Sequence, residues 1–162
     1  NGFDVILCEP WSVAVNSKMK LLKRGIKSII NDPLILFDKK KHNIKLHFEM
    51  FHGYDNLNKA INVMDKKDKK DFLNYISENN MLSGHCIFFS NNTKLINNFY
   101  TDLFDWLFKC ESIFGFNLKG YDNQRIYSFL TERYTPFWFN KYAKVKYWPW
   151  VYCDITKFET NY

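Results

Sequence analysis

The sequence predicts an α/β domain, and three observations carry that expectation. Two apolar runs of strand length, Phe3 to Leu7 and Cys86 to Phe89, are each bounded by turn residues. Helical periodicity fills the segments between and after them, most clearly from Leu95 onward. A third β-rich run, Lys144 to Tyr152, closes the pattern, and strands alternating with helices argue for sheet and helix packed together. The 162 residues read as a single domain, 1–162, long enough for a substantial core. Aromatic residues make up 19%, which implies a thick core, a ring-lined cleft or a face covered by something else.

In chain order, Asn1-Gly2 leads straight into the run Phe3 to Leu7, so the chain reads as part of a longer protein. Glu9-Pro10 ends that run. Lys18 to Ile30 fits a basic amphipathic helix, Asp32-Pro33 breaks it, and Leu34 to Phe37 fits a short strand. Lys39-Lys40-Lys41-His42 reads as a solvated loop. Two short helices follow, Asn43 to Met50 and Asn56 to Met64, with Asp55 as a cap between them. Asp65 is placed to cap a third helix, which carries Phe72, Leu73, Tyr75 and Ile76 and ends at Asn79-Asn80. Cys86 to Phe89 then reads as a buried strand.

Leu95, Phe99, Leu103 and Leu107 recur every four residues opposite Lys94, Asn98, Asp105 and Lys109. That is a long amphipathic helix of about 20 residues, closed by Gly115. Asp122 is the expected N-cap of a last helix, which carries Ile126, Phe129 and Leu130 inward and ends or bends at Pro136. The final strand is interrupted by Pro149.

The formal charge is +6, with 23 Lys and Arg against 17 Asp and Glu, which suits an anionic partner without choosing among nucleotide, phospholipid and nucleic acid. Cys8, Cys86, Cys110 and Cys153 form no CxxC pair and have no histidine at ligand spacing, so they read as free thiols. No run approaches the length of a membrane span, and the start is not a signal peptide.

Four elements carry a resemblance. They are His85-Cys86-Ile87-Phe88-Phe89; Phe99 to Phe108 with its Trp106-Leu107-Phe108 core; Arg125-Ile126-Tyr127-Ser128-Phe129-Leu130-Thr131-Glu132-Arg133; and Val145-Lys146-Tyr147-Trp148-Pro149-Trp150. Asp4-Val5-Ile6-Leu7 followed by Pro10, and His52 with Asp55 to Leu57, extend the match to nearly the whole chain. In this the chain resembles the C-terminal region of a family first catalogued as a domain of unknown function and found among capsular polysaccharide and lipopolysaccharide glycosyltransferases. It departs from the family pattern at His85, where Asn is usual, at Ser128, where Gly is usual, and at Tyr134, where Leu is usual.

The resemblance implies a partial GT-A-like fold, a mixed sheet with flanking helices whose N-terminal half lies upstream. It implies transfer of a sugar from a nucleotide-diphospho-sugar donor to a glycan acceptor, with Mn²⁺ or Mg²⁺ held by residues outside this chain. The setting it implies is cytoplasmic, at the inner face of the plasma membrane by peripheral association. Nucleic acid is not an expected partner of such an enzyme. The other reading of the composition is a non-catalytic, basic, aromatic-rich module that grips nucleic acid or an anionic surface. The rings fall at helix-core spacing rather than alternating with Lys along a strand, which favours the transferase.

Such a transferase needs a carboxylate near the acceptor and donors for the diphosphate. No DxD motif is present, and Asp65 and Asp68, at a Lys-rich helix start, read as capping residues. Asp122 either caps its helix or activates the acceptor, with Gln124 and Arg125 beside it as substrate-binding groups. Glu132 lies seven residues after Arg125, two turns along one face with Ser128 between, and serves as base, as an orienter of Arg125 toward phosphate, or with Arg125 as an internal ion pair that ties the helix to its neighbours; Arg133 is a further substrate-binding candidate. His85 is placed to meet diphosphate or acceptor, and Trp11, Trp148 and Trp150 offer faces on which a sugar ring can stack.

Overall fold

The computed structural model describes residues 2–13 and 42–149. The expected helix at 18–30, the strand at 34–37, most of the basic run at 39–42, and Trp150 and Cys153 lie outside the described residues. Within them the fold is α/β, with a small mixed sheet flanked by helices. Strand β1 (Val5–Cys8) is central, paired antiparallel to β4 (Phe88–Phe89) and parallel to β5 (Val145–Trp148). A separate two-stranded ribbon joins β2 (Trp11–Ser12) to β3 (Met81–Leu82), with Trp11 opposite Leu82.

Alternation along the strands gives the sheet two different faces. Val5 and Leu7 point inward and are buried, and Phe88, opposite Leu7, packs on Phe99 and Phe139 at centroid distances of 5.5 and 4.9 Å. On the other face Ile6 pairs with Phe89 and Lys146, and Phe89 is 64% exposed. The expected buried strand at 86–89 is therefore only two residues long and open on one side. Cys86 sits at φ 51, in the left-handed region, where regular pairing cannot continue. β5 stops before Pro149, which has no N–H to donate to the ladder.

Two helices begin on asparagine side-chain caps, which are not among the caps expected at Asp55, Asp65 and Asp122. Asn43 Oδ1 accepts from the Leu46 N–H at 2.8 Å to start α1 (Ile44–His52), and Asn92 Oδ1 accepts from the Leu95 N–H at 3.0 Å to start α4 (Thr93–Phe114). Two expected caps act differently. Asp55, before α2 (Asn56–Asn62), accepts from the Asn58 side chain. Asp65, before α3 (Lys66–Glu78), turns its carboxylate to Lys109 at 2.7 Å, because α4 brings that ammonium within reach. Asp68 is not a cap either: its side chain is buried in the core.

α4 buries Phe99, Leu103, Trp106 and Cys110, so the inward stripe is centred a little to one side of the Leu95–Leu107 repeat. Its Trp106 donates to the Ala60 carbonyl at 2.8 Å, tying α4 to α2. Cys8, Cys86 and Cys110 are free thiols. Among the described residues no helix is long and apolar enough to cross a membrane.

The last helical region departs most from expectation. Gly120, at φ 89, takes the N-cap position of a four-residue helix, α5 (Tyr121–Gln124), and Asp122 lies inside its first turn. Arg125 breaks the path, and α6 (Ile126–Tyr142) then runs straight through Pro136. A proline in a helix interior costs about 3 kcal/mol because it cannot donate to the carbonyl four residues back. Here every residue from Arg133 to Phe139 is buried, so packing on all sides of that segment outweighs the lost bond.

Candidate functional site

The first half of α6 faces α1, and this contact gathers most of the residues singled out by sequence. Arg133 is 1% exposed, a burial that a guanidinium tolerates only with partners. Its Nη1 donates to Glu132 Oε2 at 2.7 Å and to the Phe129 carbonyl at 3.1 Å, and its Nη2 meets His47 Nδ1 at 3.0 Å. Guanidinium can only donate, so His47 accepts through Nδ1 and carries its proton on Nε2. Burial, reinforced by the Arg133 charge, holds the His47 imidazole down to about 3, so it stays neutral.

Rings frame this relay. The Phe129 ring stacks on His52 at 3.7 Å, with Arg125 at 5.2 Å and Arg133 at 5.8 Å from its centroid. Trp11, on β2, reaches His47 edge-on at 5.7 Å and His85 at 6.4 Å, so it joins the relay to the β3–β4 turn. Two donors in the cluster, Trp11 Nε1 and Arg133 Nε, are buried with no hydrogen-bond partner among the described residues. Such groups are rare in folded proteins and point to a polar ligand or water at the place they face.

Glu132 is the group of chemical interest. Its side chain is 26% exposed, so it is within reach of solvent while Arg133 is not. Burial pushes its carboxyl up, against the opposing pull of Arg133, Arg125 and the Arg133 hydrogen bond. Arg133 in turn is pulled down to about 10 by burial, with Glu132 resisting. Cys86 borders the pair: burial and the Glu132 charge push its thiol up to about 11, against Thr135 and Arg133. The left-handed backbone at Cys86 costs about 1–2 kcal/mol, and strain of this kind collects at functional sites.

Of the seven predicted site residues, the structure joins Trp11, His85, Glu132 and Arg133, with Arg125 at the rim. The hydrogen-bonded partner of Glu132 is Arg133 rather than Arg125, whose guanidinium meets the Tyr121 hydroxyl and lies over the Tyr121 ring. Arg125 sits in the break between α5 and α6, so the expected shared helical face with Glu132 is not continuous. Asp122, half-buried, and Gln124, exposed, stand apart on α5. Trp148 is on the outer sheet face, where Lys146 lies 5.4 Å from its ring. His47 and Phe129 are site residues that sequence reasoning passed over. The signal was the i,i+4 pairs His47–Phe51 and Phe48–His52 on a helix of only nine residues.

Among the described residues no group of three or more His, Cys, Asp or Glu side chains is placed to hold a metal ion. The cluster is instead a carboxylate paired with one guanidinium, with a second at the rim and imidazole and indole nearby, which can accept a proton and donate to anionic or hydroxyl oxygens.

A family model described as a domain of unknown function, DUF4422, matches residues 12–144. The chain belongs to that family, and the match spans both the Glu132 cluster and the helices that support it. No curated protein matches the chain, and no solved structure does.

Proposed function

We propose that this family member is part of a glycosyltransferase that moves a sugar from a nucleotide-diphospho-sugar to a glycan acceptor in surface polysaccharide synthesis. The reading starts from the resemblance of its motifs to capsular polysaccharide and lipopolysaccharide transferases. One structural observation supports it most: a solvent-reachable carboxylate, Glu132, is clamped at 2.7 Å by a fully buried arginine that a neutral histidine holds from the other side. A base that takes a hydroxyl proton needs that combination of fixed position and raised carboxyl.

In this reading Glu132 takes the proton from the attacking acceptor hydroxyl, and Arg133 fixes the carboxylate orientation. Arg125, exposed at the rim, and His85 face the diphosphate side, and Trp11 lines the sugar with its unpartnered indole N–H. Asp122 and Gln124 on α5 bind at the periphery. The donor supplies the leaving group, and a Mn²⁺ or Mg²⁺ ion, where one is used, is held outside these residues. The fold is compatible with a GT-A-like arrangement, and the setting is the cytoplasmic side of the membrane.

The test combines binding and turnover. Sugar nucleotides based on UDP, GDP and CDP, with either metal, are screened by thermal shift on the protein, and transfer to glycan acceptors is assayed with any donor that binds. Glu132→Gln should keep donor binding and lower turnover at least a hundredfold. Unchanged turnover in that variant removes Glu132 as the base, and no response to any donor removes the transferase.

One observation favours a second reading. On the outer sheet face Lys146 lies 5.4 Å from both the Phe3 and Trp148 rings, a cation-and-ring surface of the kind that grips single-stranded nucleic acid. Salt-sensitive binding of an oligonucleotide, lost in Trp148→Ala, would move this reading forward.

A further inference from the structure

We propose a second ligand site, for a neutral, hydroxyl-rich molecule such as one sugar ring of a glycan, in the cavity between α3, α4 and the C-terminal half of α6. The cavity measures about 450 Å³, within the range of about 300–1,000 Å³ usual for small-molecule sites. It shares no residue with the Glu132 cluster, and its ligand class follows from its lining alone, independently of the transferase reading.

Four side chains of α4 provide one wall, with the apolar Leu95 one turn before three polar groups. Asn98, Thr101 and Asp102 fall at i, i+3 and i+4, so they share a face of the helix. Lys67 from α3 and Trp138 and Tyr142 from α6 complete it. Charge at this wall is cancelled at short range. Lys67 Nζ lies 2.7 Å from Asp102 Oδ1, and behind them Lys141 is paired with Asp68 at 2.9 Å and Asp71 at 2.6 Å. A phosphate would meet Asp102 beside Lys67, the one cation of the lining, and a lone cation would have to compete with the ammonium already on that carboxylate.

A hydroxyl group suits each remaining valence. Asp102 Oδ2 accepts from the Trp138 indole at 2.9 Å and Oδ1 from Lys67, which fixes the carboxylate and leaves a lone pair on each oxygen. Thr101 uses its hydrogen on the Asn97 carbonyl at 2.8 Å, so toward the cavity it accepts. Asn98, exposed, offers both a donor and an acceptor one turn before Asp102 on the same helix face. The Tyr142 ring, 41% exposed, supplies an apolar surface for the C–H face of the sugar.

The experiment is NMR titration of the whole chain with neutral mono- and disaccharides, following saturation transfer to the sugar and the indole N–H resonance of Trp138. We expect dissociation constants on the order of 1 mM, with that indole among the most shifted signals. Asn98→Ala and Thr101→Val, both at exposed positions that folding does not depend on, should each weaken binding about tenfold. The proposal is overturned if no sugar moves the Trp138 indole, if neither variant weakens binding, or if inorganic phosphate binds the same wall as tightly as any sugar. A response to sugar nucleotides at the Glu132 cluster, read on Trp11, would be unaffected by those outcomes.

Discussion

α6 carries a buried ion pair on each of two sides, and the two are built to different standards. Asp68, 1% exposed, receives Lys141 at 2.9 Å, the Tyr142 hydroxyl at 2.6 Å and the Tyr134 hydroxyl at 3.5 Å. Its acceptor capacity is used by groups from within the fold. Arg133, equally buried, keeps Nε without a partner, and its carboxylate partner reaches solvent. A buried charge that is fully met holds a structure together; one left short of partners, beside strain at Cys86 and a neutral histidine, is arranged to meet something else. The contrast separates the half of the helix whose ion pair is saturated from the half that carries the proposed chemistry at Glu132.

The comparison can be broken at its strongest point by Asp68→Ala, which takes the acceptor from the Tyr134 and Tyr142 hydroxyls and leaves Lys141 with Asp71 as its carboxylate partner. Chemical denaturation should show a loss of about 2–4 kcal/mol, and a loss below 1 kcal/mol would show that Asp68 is no hub. Acid sharpens the other side. His47 is held far below its unfolded value, so the folded protein stays neutral there while the unfolded chain gains a proton. Stability is complete above about pH 6.5 and falls as the pH drops toward 3, by roughly 3 kcal/mol at pH 4.5. The same titration of His47→Gln should lose that slope; an unchanged slope would place its origin elsewhere.

Smaller effects test the supports. Trp106→Phe removes the bond to the Ala60 carbonyl and should cost about 1–3 kcal/mol, read as a lower unfolding midpoint. Cys86→Gly relieves the left-handed backbone and should stabilise the fold by about 0.5–1 kcal/mol, while Cys86→Ser should not. If glycine destabilises, the conformation at Cys86 is not a source of strain.

What sequence reasoning could reach was set by the range of the forces involved. α1 to α4 are local objects: caps at Asn43 and Asn92 and an apolar repeat every three or four residues are written within a dozen positions. β1 was legible for the same reason. The path through Pro136 was not, because the local rule against proline is overridden by burial of the whole segment 133–139 among distant helices. Asp65 does take the N-cap position, but its carboxylate and that of Asp68 serve Lys109 and Lys141, which lie 44 and 73 residues away and out of reach of a local reading. At the candidate site the Glu132-Arg133 pair could be quoted from the chain. His47 could not, since only packing of α1 on α6, 86 residues apart, gives it a guanidinium to accept from.

The central strand sets a timetable. β1 is held by Ser90, whose hydroxyl donates to the Asp4 carbonyl at 2.6 Å, and by Lys144, whose backbone N–H donates to Asp4 Oδ2 across 140 residues. During synthesis α1 to α4 can form as each leaves the ribosome, but β1 waits unpaired until β4 and then β5 follow it out. For that interval a short apolar strand with two open edges is exposed, and protection of the nascent chain against edge-to-edge pairing would be most needed there. Pulse-labelled hydrogen exchange should accordingly find the Ile6 and Leu7 amides protected after those of α4, and the reverse order would mean that the sheet templates the helices.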